Sequence, residues 1–171
     1  MGNKRRGLGM VEAMTERLKR EIGLGGAILV GRKQKVTTVT AAGGTTTLTT
    51  QDSGTVYLVS LASGSHTFTL PALTSGWHCE IIVTVAAGST SRDLTVTAPG
   101  DNMILSARDF TGSGAAQRHT TDTVTTVLVD ASRGDLTPVG TRMKIYCDGT
   151  NYVMIATSDN QHNSQNKFVG S

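Results

Sequence analysis

From Thr55 onward the chain runs in short alternations of apolar and polar residues, each closed by a turn signal. Thr55–Leu61 is apolar and β-branched, and His66–Leu70 alternates with Phe68 and Leu70 on one face. Over Trp77–Val85 the pattern predicts that Trp77, Cys79, Ile81, Val83 and Val85 point one way and His78, Glu80 and Thr84 the other, with Ile82 as the exception. Leu94–Ala98 repeats the alternation through Leu94 and Val96, and Thr123–Asp130 is a strand around Val127 and Val129. Arg142–Cys147 and Asn151–Thr157 flank Asp148-Gly149, the strongest short hairpin signal in the sequence. Turns at Asp52-Ser53-Gly54, Ser63-Gly64-Ser65, Ser75-Gly76, Pro99-Gly100-Asp101 and Arg133-Gly134-Asp135 separate the runs. Strands at this spacing with no helix between them predict an all-β body, an antiparallel β-sandwich of jelly-roll-like type.

The N-terminal part has a different period. Met10, Met14, Leu18 and Ile22 recur every four residues, with Val11 beside them and charged residues at Glu12, Glu16, Arg17, Lys19, Arg20 and Glu21. That spacing predicts an amphipathic helix from Gly9 to Ile22, stopped by Gly23, Gly25 and Gly26. An isolated helix of this length is marginal in water, so its apolar stripe needs a partner: the body, sister copies or another protein. Three parts are thus expected: a basic arm with a short helix over 1–35, a β-sandwich body over 36–157, and a polar tail over 158–171 that is mobile or draped over a neighbour. Residues 27–50 read as an extended linker or edge hairpin. Residues 106–121, with Gly112, Gly114, Ala115 and Ala116, read as a long inserted loop.

Composition supports the strand reading. Charged residues make up 17% of the 171, low against the roughly 25% usual for soluble domains, and Thr, Ser and Gly fill the gap. The charge is uneven. Residues 1–35 hold nine basic and three acidic residues, whereas the remainder holds seven basic and ten acidic ones. A basic arm on a mildly acidic body suits docking on an acidic surface. None of the seven aromatic residues lies in the arm, so there is no stacking platform beside the charge, and nucleic acid is not the expected partner. No apolar run is long enough to span a membrane, and no signal peptide is expected.

Candidate chemistry is sparse. His66, His78, His119 and His162 show no metal-ligand spacing, and His78 reads as a solvated strand residue. Cys79 and Cys147 sit in strand-like segments and read as buried free thiols, with a disulfide between strands as the alternative. Gly23-Leu24-Gly25-Gly26 follows a helix rather than a strand, which makes it a helix stop and not a nucleotide-binding turn. Asp93, Asp101, Asp109, Asp122, Asp130 and Asp135 fall in or near turns, where Asp caps the backbone without any catalytic role. No enzyme activity, metal or cofactor is expected.

One arrangement is more specific. It comprises Leu48-Thr49-Thr50-Gln51-Asp52-Ser53-Gly54-Thr55, His66-Thr67-Phe68-Thr69-Leu70-Pro71-Ala72, Ser75-Gly76-Trp77-His78-Cys79-Glu80-Ile81-Ile82-Val83, and Gly140-Thr141 through Tyr146 to Asp148-Gly149-Thr150-Asn151-Tyr152. Over residues 45–157 this resembles small β-sandwich virion proteins of tailed bacteriophages: head decoration (cement) proteins and short tail-fibre modules. The resemblance implies a homotrimeric building block on the capsid surface, made in the host cytoplasm, whose partner is the major capsid protein or a tail protein. The arm helix departs from that pattern. In a decoration protein Val11, Met14, Leu18 and Ile22 would be the arm's anchors, and Lys4, Arg5, Arg6, Arg17 and Arg20 its electrostatic guides. The alternative is a tail, baseplate or fibre-tip protein that touches a receptor through the 106–121 loop.

Overall fold

A computed structural model of the chain describes residues 34–40, 43–111, 114–119, 123–132, 137–160 and 168–171. The arm helix and all nine arm residues named above lie outside the described residues.

The chain crosses repeatedly between two sheets. β1 (Val36–Thr40), β3 (Thr55–Ser60) and β5 (His78–Val85) lie in one; β2 (Gly44–Thr47), β4 (His66–Thr69) and β6 (Leu94–Thr97) lie in the other. Because the chain alternates between layers, every second strand runs the same way and neighbours within each layer pair in parallel: Val36 with Val56, Val56 with Glu80, Gly44 with His66, His66 with Leu94. The later strands close both sheets. β7 (Met103–Thr111) and β8 (Gly114–His119) form an antiparallel hairpin, as do β10 (Arg142–Cys147) and β11 (Tyr152–Asn160). β9 (Thr126–Val129) and β12 (Phe168–Gly170) join the second sheet. The strand orders are β1-β3-β5-β10-β11-β7-β8 and β12-β9-β6-β4-β2.

The all-β expectation holds; the antiparallel one is corrected. Both sheets are mixed, and the parallel ladders follow from the crossing between layers. Three local expectations also change. Residues 27–50 do not supply an edge hairpin among the described residues, since β1 and β2 pair with strands of different sheets. The 106–121 segment is largely the β7–β8 pair rather than a loop. The expected polar tail extends β11 to Asn160 and returns as β12 against β9, with Phe168 fully buried.

The inward faces of both sheets share one apolar core. Tyr57 and Phe68 meet across the layers with ring centroids 5.2 Å apart, and Trp77 meets Tyr152 edge to face at 5.8 Å. Ile81, Val83, Leu94, Val96, Met143 and Ile145 are fully buried between them. Val85 does not join this core as its period predicts, and is 43% exposed. The β3–β5 register shifts between Val59 and Ser60, so Ser60 pairs with Val85 rather than Thr84. The bulge turns Val85 outward, and Thr84 donates its hydroxyl to the Val59 carbonyl at 3.1 Å. The Asp148-Gly149 hairpin forms, through a loop of residues 148–151 in which Gly149 alone takes positive φ, at 99°, and Asp148 Oδ1 accepts the amides of Thr150 and Asn151, both at 2.7 Å. Those amides hold the Asp148 carboxyl below its ordinary pKa.

Candidate interaction face

In each sheet one set of alternate side chains enters the core and the other faces out. The two outward faces differ in part, for the five-stranded one adds Leu128 of β9 and Val169 of β12 to a threonine-rich surface. On the five-stranded sheet, the outward positions of β2, β4 and β6 are all threonine: Thr45, Thr67 and Thr95 lie in one paired row, and Thr47, Thr69 and Thr97 in the next. These are β-branched, uncharged and hydroxylated, as a solvated strand surface allows.

The seven-stranded sheet presents a different face. Its central outward row, read across paired strands, is Val36, Val56, Glu80, Lys144, Ile155 and Ser106, of which Val56 is buried. The row on one side carries Leu58, Ile82 and Arg142; the row on the other carries His78, Tyr146, Val153 and Ile104. Four of the six large apolar residues exposed among the described residues lie here: Val36, Ile104, Tyr146 and Ile155. Arg142 Nε donates to Glu80 Oε1 in an ion pair along the middle of the face. His78 and Tyr146 stack with ring planes 19° apart and centroids at 6.4 Å. Around that stack, Gln34, His78, Glu80, Lys144 and Tyr146 line a shallow cleft of about 210 Å³. Small-molecule sites usually have roughly 300–1,000 Å³ and deeper walls, so the cleft is a dent in a broad face rather than a ligand pocket.

The titratable groups are engaged in the architecture. Asp93 Oδ1 accepts the Ala131 amide at 2.9 Å, Asp130 Oδ1 the Ser132 amide at 2.8 Å, and Asp101 the Thr125 hydroxyl. Only Asp130 caps its own turn as expected; Asp93 and Asp101 tie distant segments together, Asp109 lies within β7, and Asp122 and Asp135 lie outside the described residues. Asp52 accepts the Thr49 amide at 2.9 Å, the Thr49 hydroxyl at 2.8 Å and Lys35 Nζ at 2.8 Å, which hold its carboxyl down at about 2. Cys79 and Cys147 are both buried and free, so the free-thiol reading applies. Burial, with the Asp52 charge adding to it, pushes the Cys79 thiol up to about 12, far from the range of a reactive thiolate. No group of three metal-ligating side chains occurs among the described residues. No helix among them is long and apolar enough to cross a membrane.

His78 is exposed, as a solvated strand residue should be, though its stack on Tyr146 needs the β5–β10 register to be seen. His66 was not singled out by its sequence, yet it is 5% exposed and enters the core beside Phe68 at 5.0 Å. The alternation of His66 with Phe68 was the available signal. Comparison of the sequence with protein-family models and with curated proteins gives no match.

Proposed function

We propose that this chain is a non-enzymatic structural protein of a tailed-bacteriophage particle. In this reading it is a head decoration (cement) protein that binds the outer capsid surface and stabilises the lattice. The observation that carries the reading is the contrast between the two parts of the chain. Among the described residues the body holds most of its carboxylates and both thiols in turns, ion pairs and core, and the outward face of its larger sheet carries a shallow cleft. The arm concentrates positive charge beside an apolar period. The sandwich of two sheets then serves as a rigid platform, and the arm clips onto the major capsid protein. Val11, Met14, Leu18 and Ile22 anchor it, and Lys4, Arg5, Arg6, Arg17 and Arg20 guide it. Three copies in one homotrimer would raise the effective concentration of each arm for its site once another is engaged.

Copy number in purified particles, by quantitative staining against the major shell protein, tests the reading. A number comparable to the shell protein supports decoration. A handful of copies per particle rejects it in favour of a tail or baseplate protein. Deletion of residues 1–26 then tests the clip: undiminished coating of shells by the truncated body rejects it.

A further inference from the structure

We infer that the cleft on the outward face of the seven-stranded sheet binds one unit of an acidic saccharide, a sugar ring that carries a carboxylate. This goes beyond the virion reading and does not rest on it. The cleft owes its space to one residue. Gly54 lies beside His78, its amide donating to the His78 carbonyl at 2.7 Å. Its φ of 79° suits glycine, so the turn into β3 puts no side chain at this point. Gln34, His78, Glu80, Lys144 and Tyr146 wall the gap that results.

These side chains offer different chemistry. His78 Nδ1 lies 3.1 Å from the Gly76 carbonyl oxygen. A carbonyl only accepts, so in the neutral ring the proton sits on Nδ1 and Nε2 is a bare acceptor. Nε2 borders the gap: a Cβ at Gly54 would stand 3.7 Å from it. It is therefore placed to take a hydrogen bond from a ligand hydroxyl. Gln34 adds an amide that both donates and accepts. Tyr146 is 44% exposed, and its ring lies nearly parallel to that of His78. An exposed ring with a polar tip gives the C–H face of a sugar an apolar surface to cover.

Charge selects among sugars. Lys144 and Glu80 stand opposite each other on β10 and β5, yet Glu80 is taken by Arg142. No ion pair of Lys144 occurs among the described residues. Arg142, Lys144 and Glu80 together leave one positive charge. That matches a single carboxylate better than a phosphate, which carries roughly −1.5 to −2. The shallowness fits a polymer. A cleft of about 210 Å³ does not enclose a free ligand, but a saccharide chain needs only one unit seated while its neighbours lie over the open sheet.

Isothermal titration calorimetry of the full chain tests this. The probes are tetramers of galacturonate, glucuronate and mannuronate, and the methyl ester of each, which lacks the charge. At least one free acid is expected to bind with a Kd of about 1 mM or below. Its methyl ester is expected to bind about tenfold more weakly, because the charge-assisted bond to Lys144 is lost. K144Q is expected to weaken binding of the free acid by about tenfold for the same reason. Y146A removes the ring and is expected to weaken it as well. Circular dichroism confirms that each variant is folded. Absence of binding by all three free acids overturns the inference. So does binding that either K144Q or Y146A leaves undiminished, since a polyanion held by the basic arm alone would sense neither residue. A methyl ester that binds as tightly as its free acid overturns it too.

Discussion

The phenol of Tyr152 donates to the carbonyl of Pro71 over 2.8 Å, tying the start of β11 in one sheet to the break that ends β4 in the other. Tyr152 is fully buried, and burial raises its pKa well beyond the ordinary tyrosine value, so the hydroxyl stays a donor across the working pH range. Pro71 ends the strand because it has no amide to offer the ladder, and its carbonyl then needs a donor. Tyr152→Phe keeps the ring against Trp77 but leaves that carbonyl without its partner. It is expected to cost about 1–2 kcal/mol in urea unfolding, with an unchanged m-value.

Asp52 closes the turn before β3 through Thr49 and Lys35. Its folded pKa of about 2 lies below the ordinary 3.8, chiefly because of the hydrogen bond from Lys35 and then those from Thr49. The unfolded chain therefore binds its proton more readily, so the stabilisation is complete above about pH 4–5 and is lost as pH falls towards about 2. Lys35 is 59% exposed, so solvent screens its ion pair and its share of the stabilisation is smaller than its effect on the pKa implies. Asp52→Asn is expected to lower stability by about 1 kcal/mol at pH 7 and to flatten the acid limb of the stability curve between pH 4.5 and 2. Equal slopes for the two proteins over that range would contradict this.

The strands that enter the core were legible because their alternation is strict. Cys79, Ile81 and Val83 were assigned to one face, and all are buried. The Asp148-Gly149 hairpin was legible because its chemistry is local. Strand direction was not, because a period of two is the same in parallel and antiparallel sheets. The return of the chain to the same layer at every second strand is set by long-range packing, which the pattern does not record. β7 and β8 were hidden by Gly112, Gly114, Ala115 and Ala116, whose small side chains give little apolar contrast. The outward face of the seven-stranded sheet was legible only as an irregularity. Ile82 broke the expected alternation, and its meaning needed the register that places it beside Arg142.

β12 shows how little sequence a strand can require. Phe168–Gly170 pairs with Val127–Val129, and Ser171 exchanges backbone bonds with Thr126 at 2.9 and 3.0 Å. In a stretch otherwise rich in Asn, Gln and Ser, Phe168 is the residue that fills the core, and it is fully buried. Phe168→Ala is expected to cost about 3–5 kcal/mol, the range for deleting a buried aromatic ring. Urea unfolding measures it. A loss below about 1 kcal/mol would return this segment to the status of a tail.

His66 couples the edge strand β2 to pH. Its Nε2 lies 2.9 Å from the Thr46 hydroxyl, Nδ1 has no hydrogen-bond partner, and the ring meets the edge of Phe68. Burial holds its pKa below the ordinary 6.5, because a charged imidazole here would carry an N–H donor into the core with nothing to accept it. The unfolded chain binds this proton more readily than the folded one, so stability rises with pH through this window. The contribution is whole above about pH 6.5. It declines as pH falls below that value and levels off once pH passes below the folded pKa. β2 is short and pairs on one side only, so the loss should appear first as increased amide exchange in Gly44–Thr47. His66→Phe retains a ring against Phe68 and has no proton to bind. Unfolding free energies from pH 5 to 8 are therefore expected to slope in the wild type and to lie flatter in the variant. Parallel curves would place the titration elsewhere in the molecule.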